Sequence, residues 1–271
     1  EEPNGAELSH LILAVHLQND VERIRHIREK NPDITIIGWF WDNHHHFEAN
    51  FEVAKELDAY FAGHTLNEDY LRFSGTPYLG HLPLCITQFS PQINWHPTPS
   101  NLRSDQIHSG HVYYPFASVR QDALTWLRDA SGLDKEMMRF MYDGKYGDFS
   151  KMTVEEKFRD WSKCKVSLQV PLNNDLSQRM FDCLLAGTIP LVSKQCEDFW
   201  GLFSEKDVKA LNLVSYDILH PSSIREAFEK AVLEFDQAGE RGIKARHEWA
   251  RNHFLNDRLE LATKAFLNNV S

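Results

Sequence analysis

The first group of residues with catalytic potential lies in the segment WFWDNHHHFEAN, residues 39–50. A neutral histidine, with a pKa of about 6.5, can take a proton from a hydroxyl group, and an aspartate can orient that histidine or act as the base itself. The candidates are Asp42, His44, His45, His46 and, at the end of the segment AYFAGH, His64, with His45 and His46 favoured over His44. The alternative is a polar loop with solvated histidines. We predict no metal site, because neighbouring side chains diverge and no H-x3-H or H-E-x-x-H spacing accompanies them.

The second group lies in NNDLSQRMFD, residues 173–182. Ser177 can cap a helix whose first N–H groups and positive dipole end would bind a diphosphate. Arg179, one turn into that helix, can add a charge-assisted hydrogen bond to a phosphate oxygen. The alternative is an ion pair between Arg179 and Asp182, three residues apart on a solvated helix face.

Further candidates for ligand binding lie in loops that directly follow predicted strands. Asn173, Asn174 and Asp175 directly follow a strand-like segment, although the same residue types also form ordinary turns. Gly110 follows another predicted strand, where a glycine allows close approach of the backbone to a ligand.

These residues depend on elements that alternate between strand-like and helix-like patterns. Predicted strands and helices follow one another along the chain in two series, which indicates parallel sheets with helices on their faces. In the first series the strands are 11–17, 34–41, 59–64 and 78–86, and the helices are 20–31, 51–57 and 66–75. In the second series 106–114 and 137–144 are each a strand that runs into a turn, and 165–172, 188–193 and 211–216 are strands. The helices of this series are 118–131, 153–164, 176–187, 221–238 and 240–268. The Pro-rich residues 88–103 between them are predicted to be a linker. Ligands of such sheets bind at the carboxyl ends of the strands, where both groups of candidates lie.

Composition restricts the function class. The 271 residues carry a net charge of −10, which argues against binding to nucleic acid or anionic membranes as the main function. The four cysteines form no C-x-x-C pair, and two of them lie in apolar segments, so free thiols in a reducing cytoplasm are expected. No signal peptide or membrane span is apparent. The chain begins with EEPNGAELS and without Met, which is typical of a piece of a longer protein.

The segment KVSLQVPLNNDLSQRMFDCLLAGTIPLVS, residues 165–193, resembles the donor-binding unit of GT-B glycosyltransferases, in particular CgeB-like and family-1-type C-terminal domains. Residues 109–124, SGHVYYPFASVRQDAL, are similar to the glycine loop and Arg-bearing helix that open this domain. Residues 245–266 resemble its closing helices, and residues 56–86 resemble a late strand–helix–strand of the N-terminal domain. Two departures concern acids: Asp182 stands where the family usually has Glu, and Asn174 stands where some relatives have an acid.

The resemblance implies an α/β fold of two Rossmann-like domains facing across a cleft. Residues 1–100 would be the acceptor-side domain, which lacks a first βα unit, and residues 101–271 the nucleotide-sugar-binding domain. By resemblance, Asp182 accepts hydrogen bonds from ribose hydroxyls. The implied function is transfer of a sugar from a nucleotide-activated donor to a glycan or other hydroxyl acceptor, without a metal or other cofactor. The alternatives are a non-catalytic nucleotide- or glycan-binding module of a larger protein and, less favoured, metal-dependent hydrolysis at the histidine run.

Overall fold

The computed structural model describes residues 9–15, 20–44, 46–109, 118–129, 138–140 and 151–270. Every paired strand among them is parallel to its neighbours, and the strands form two separate sheets. The chain divides into two compact units: the first contains the described residues up to Leu84 and those from Asn256 onward, and the second contains residues 85–255. The prediction of two parallel sheets from strand–helix alternation is therefore confirmed.

The first unit contains a four-stranded sheet in the order β1-β2-β3-β4. Its strands are β1 (His10–Val15), β2 (Thr35–Phe40), β3 (Ala59–Ala62) and β4 (Tyr78–His81), and its helices are α1 (Asp20–Lys30), α2 (Phe47–Ala54) and α3 (Glu68–Arg72). Most of the β2 and β3 side chains are buried, which explains why both segments are apolar without alternation.

Several boundaries in the first unit differ from those that the sequence predicted. Strand β4 ends at His81 instead of residue 86: the N–H of Leu82 still bonds to the Ala62 carbonyl at 2.8 Å, but Pro83 has no N–H to continue the ladder. Helix α3 begins only after Asn67, which has a left-handed backbone with φ 64°. Helix α2 begins at Phe47, earlier than predicted.

The second unit contains a five-stranded sheet in the order β6-β5-β7-β8-β9. Its strands are β5 (Ser104–Ser109), β6 (Met138–Phe140), β7 (Cys164–Gln169), β8 (Ile189–Ser193) and β9 (Val214–Tyr216). Its helices are α4 (Ser118–Asp129), α5 (Val154–Trp161), α6 (Gln178–Leu185), α7 (Glu197–Trp200), α8 (Glu205–Ala210) and α9 (Ser223–Ala250), and α10 (Leu255–Val270) follows. Five of the six residues of β7 are buried, and Lys165 is the exception. This central strand is therefore enclosed on both faces.

Helices α7 and α8 are absent from the predicted series, whereas α9 joins two predicted helices. Helix α8 starts with a capping box in which Ser204 and Asp207 bond to each other's backbone N–H groups. Helix α9 is interrupted at Gly239, whose φ of 52° and ψ of −140° are not helical, at the point where the sequence predicted a break.

The segment predicted as a linker is built into the second unit. It contains only one 3₁₀ turn, Ser100–Leu102, but its aromatic residues Phe89 and Trp95 are buried and pack on Phe158 of α5. The prolines therefore prevent regular structure in this segment without making it a free connection.

The carboxyl end of α6 is followed by Gly187, whose left-handed φ of 71° is typical of the residue that terminates a helix. Two buried arginines donate hydrogen bonds to the backbone carbonyls at this end of the helix. Arg103 donates to Ala186 O at 2.7 Å, and Arg246 donates to Gly187 O at 2.9 Å. Positive charge is favourable at this end of a helix, and burial lowers the pKa of Arg103 to about 10 and that of Arg246 to about 9.

None of the described helices is long and apolar enough to cross a membrane.

Candidate functional site

The first turn of α6 lies where the sequence predicted a phosphate site. The helix follows β7, so its N-terminus lies at the carboxyl edge of the second sheet. Ser177 has an extended backbone, and its hydroxyl accepts a hydrogen bond from the N–H of Arg179 at 3.4 Å, as predicted for an N-cap. The helix therefore presents its positive dipole end at the edge of the sheet where ligands of such folds bind.

The loop before this helix has an unusual backbone. Asn173 and Asn174 are both exposed and have left-handed φ values of 52° and 61°. Asparagine tolerates this region better than most residues, which explains the residue types. The Asp175 carboxylate accepts the N–H of Leu172 and lies 3.5 Å from a guanidinium nitrogen of the buried Arg120. Turn chemistry thus accounts for the shape of the loop.

Cys196 fixes the same loop from a different element. Its buried Sγ lies 3.3 Å from the backbone oxygens of both Asn174 and Asp175, so the single S–H proton is shared between two acceptors. Desolvation by burial raises the pKa of the thiol far above its usual range, so Cys196 stays protonated and remains a donor. Cys196 thus holds the loop in place before the N-terminus of α6.

Arg179 offers a guanidinium group next to this loop. The side chain is half-buried, its Nε has no hydrogen-bond partner, and no carboxylate lies within ion-pair distance of it among the residues that the structure describes. The ion pair with Asp182 that the sequence left as an alternative is not formed. Within the described part of the chain, Arg179 is therefore a donor group at a helix N-terminus whose Nε has no acceptor.

Asp182 lies inside the second unit. It is only 1% exposed, and its Oδ2 accepts a hydrogen bond from the side-chain amide of Gln88, whereas Oδ1 has no partner among the described residues. Desolvation raises the pKa of Asp182 to about 7, against the opposing effects of Gln88 and of the positive charges of Arg179 and Lys157. In this conformation solvent does not reach the carboxylate.

Gln88 is a residue that sequence reasoning missed. Gln88 bonds to Asp182, and the hydroxyl of the preceding residue, Thr87, donates to Gln178 Oε1 at 2.7 Å. The segment therefore contacts two residues that lie one turn apart on α6. Nothing in the composition of a Pro-rich linker indicates a partner about ninety positions away. The contact could only be found from the tertiary structure.

The carboxyl ends of β2 and β3 in the first unit carry four of the predicted catalytic residues, called the catalytic corner below: Asp42, His44, His46 and His64. Asn43, which the sequence analysis did not single out, is fully buried and joins the two strand ends: its Nδ2 donates to His64 O at 2.7 Å, and its Oδ1 accepts from His64 N at 3.0 Å. His44 and His64 are brought together, with ring centroids 4.3 Å apart. Both rings are buried, and Nε2 of His64 bonds to Trp41 O at 2.8 Å.

Asp42 and His46 are only half-buried and lie in the same loop. His46 is the N-cap residue of α2, and its N–H bonds to Asp42 O at 3.0 Å. These two side chains are more accessible than His44 and His64, so they are the better candidates for proton transfer. His45 and Gly110 lie outside the described residues.

A buried His–Asp–Ser group in the second unit was also missed. His108 Nδ1 lies 3.1 Å from the Ser167 hydroxyl, and its Nε2 lies 3.2 Å from Asp160 Oδ2. All three residues are fully buried. A substrate cannot reach this serine, so the group satisfies buried polar atoms instead of acting as a nucleophile.

No three His, Cys, Asp or Glu side chains within the described part of the chain are placed to hold a metal ion.

Comparisons with known proteins address the fold. No protein-family model matches the chain, and no curated protein is significantly similar in sequence. Among solved structures, sucrose-phosphate synthase from Thermosynechococcus elongatus is similar with a TM-score of 0.61 and 10% identity, over 96% of this chain and 74% of that one. A UDP-forming trehalose-phosphate synthase from Burkholderia xenovorans has a TM-score of 0.51 and 12% identity, over 93% and 74% of the two chains. The N-terminal domain of a Candida albicans trehalose-6-phosphate phosphatase has a TM-score of 0.57 and 9% identity, over 95% and 70%.

At such low identities the likeness shows the fold alone. The chain has an α/β fold with two parallel sheets that is shared with GT-B glycosyltransferases.

Proposed function

We propose that the protein is a glycosyltransferase that moves a sugar from a nucleotide-activated donor to a glycan or other hydroxyl acceptor. Within the GT-B class we place it with the CgeB-like type, on the motif of residues 165–193. The observation that carries the proposal is the unpaired guanidinium of Arg179 beside the capped N-terminus of α6. A dianionic diphosphate supplies the acceptors that both groups lack.

The donor site in this proposal is built from the second unit. The backbone N–H groups at the start of α6 and the Arg179 side chain bind the diphosphate, and the loop of Asn173 and Asn174 lies beside them. Charge on the leaving diphosphate increases as the glycosidic bond breaks, so the same donors stabilise the transition state more than the bound donor.

The reaction forms a bond between the acceptor oxygen and the anomeric carbon and breaks the bond from that carbon to the phosphate oxygen. If the enzyme inverts, Asp42 or a histidine of the loop takes the acceptor proton; if it retains, the leaving phosphate can take it. Both routes require the first unit to face the donor, as in the predicted cleft, which is part of the proposal.

The test compares binding of a nucleoside diphosphate with binding of its nucleoside, by calorimetry, to the wild type and to Arg179→Ala. Loss of one charge-assisted bond should weaken diphosphate binding by about 1.5–3 kcal/mol and leave nucleoside binding almost unchanged. Arg225→Ala is the matched control, because Arg225 is an exposed arginine near the start of another helix, α9, and is already paired with Glu229 at 3.1 Å. Equal losses for both ligands would show that Arg179 does not contact the phosphates. Because no metal is expected to take part, EDTA should change none of these affinities.

A non-catalytic nucleotide-binding module is the second candidate, and two observations favour it. Asn174 has no acidic group, and Asp182 is enclosed in the unit. Turnover separates the two functions: release of nucleoside diphosphate from a nucleotide sugar in the presence of acceptors supports the transferase, and tight binding without any release supports the module.

A further inference from the structure

Gln88 is held at a fixed position beside the first turns of α6. Ile86, two positions before Gln88, forms an isolated β-bridge with Phe254, and the Ile86 N–H bonds to His253 O at 2.9 Å. The following residue, Phe89, is 3% exposed and packs on Phe158. Because both ends of this short segment are anchored in the core, the Gln88 backbone has little freedom.

The Gln88 side chain is half-buried and has one hydrogen bond to the protein, from Nε2 to Asp182 Oδ2. The amide nitrogen of Gln88 therefore faces Asp182, since it is the N–H group that donates and the carboxyl oxygen that accepts. The planar amide then directs its carbonyl oxygen, Oε1, away from the carboxylate. No described residue is bonded to this oxygen.

We infer that Gln88, and not the buried carboxylate behind it, accepts the hydrogen bond from a ribose hydroxyl of the bound nucleotide, and that Asp182 is a positioning residue that fixes the amide. This inference rests on the proposed function, because it assigns the ribose contact of the same donor site.

In this inference the two groups of residues around α6 contact different parts of the nucleotide. Thr87 and Gln88 contact Gln178 and Asp182, which places their segment along the side of α6, while Ser177 and Arg179 lie at its N-terminal end. A nucleotide whose diphosphate binds at the helix end would therefore extend its ribose along this segment.

The experiment uses ligands with and without the ribose hydroxyls. Among UDP, GDP and ADP, the one that the wild-type chain binds best is compared with its dideoxy analogue by calorimetry. Gln88→Met has nearly the same side-chain length but offers no amide. It should weaken binding of the ribonucleotide about tenfold, the value of one hydrogen bond of about 1.4 kcal/mol, and leave binding of the dideoxy analogue unchanged.

Asp182→Leu tests the positioning role. It removes the anchor of the amide, so the preference for the ribonucleotide over the dideoxy analogue should fall, while affinity for the analogue is retained. A merely structural role of Asp182 would lower both affinities together and leave their ratio constant. Melting temperatures of all variants are measured first, and Gln88→Asn, which shortens the amide by one methylene, replaces Gln88→Met if that variant does not fold.

The outcomes distinguish the inference from the proposed function. If the wild type binds none of the nucleotides, the proposed function fails and the inference fails with it. If Arg179→Ala weakens diphosphate binding but Gln88→Met leaves the ratio of the two affinities unchanged, only the inference is overturned.

Discussion

Replacing Asp182 by asparagine should change how the stability of the protein depends on pH. The carboxylate is buried, one of its oxygens has no hydrogen-bond partner among the described residues, and the nearest charges, on Arg179 and Lys157, only partly offset the cost of burial. Desolvation raises its pKa from 3.8 to about 7. The folded protein therefore holds this proton more tightly than the unfolded chain does.

The sign and size of the effect follow from this difference. Because the folded pKa is higher, the folded state binds more protons between about pH 4 and pH 7, so the free energy of unfolding falls as the pH rises through this range. The pKa values of 3.8 and about 7 correspond to a total loss of about 4 kcal/mol, of which about 3 kcal/mol falls between about pH 5 and pH 8.

The assay is urea unfolding of the wild type and of Asp182→Asn at these two pH values. The asparagine can still accept the Gln88 amide, and the cost of its own unpaired amide group is the same at both pH values, so it cancels from the comparison. The variant should gain about 3 kcal/mol relative to the wild type on going from about pH 5 to about pH 8.

Asp217→Asn is the control. The bond to Lys194 is the main cause that lowers the pKa of Asp217 to about 2, so this residue is ionised in both states throughout the measured range. Its replacement should destabilise the protein by an amount that does not depend on pH in this window. If the difference between Asp182→Asn and the wild type is equally constant, burial does not raise the pKa of Asp182 and the reasoning is refuted.

Three further predictions concern stability and turnover. Arg103→Met should lower the free energy of unfolding by about 2–5 kcal/mol, measured by urea unfolding, because Ala186 O and Thr98 O lose the donor that Arg103 gives them. Gly187→Ala should cost about 1–3 kcal/mol in the same assay, since its φ is 71° and the added Cβ would lie 2.6 Å from Ile243 Cγ2; Gly201→Ala, which meets nothing closer than 3.2 Å, should cost less. If the corner in the first unit is catalytic in an inverting reaction, His46→Ala should lower turnover about 10²–10⁴-fold without changing nucleotide affinity, and added zinc should not restore it. Full turnover by this variant and by Asp42→Ala would instead support a polar loop without a catalytic role.

Local patterns determined the secondary structure of this protein. The apolar segments of β2, β3 and β8 and the helical spacing between strands predict two parallel series, because burial on both sheet faces favours continuous apolar strands. Ser177 and Gly187 mark the two ends of α6 through interactions with residues only a few positions away. Such short-range signals can be recognised within a short window of the sequence, because the interacting residues lie in the same window.

The environment of each candidate residue depended on contacts between distant parts of the chain. Asp182 lies within one turn of Arg179 on the same helix, so the sequence allowed an ion pair between them. In the folded chain the Asp182 carboxylate accepts a hydrogen bond from Gln88 instead, and Nε of Arg179 has no partner among the described residues. Asn43 and His64 likewise meet because β2 and β3 are neighbours in the sheet. Burial and desolvation decide the charge state of such groups, and both are properties of the packed structure that no spacing of residue types specifies.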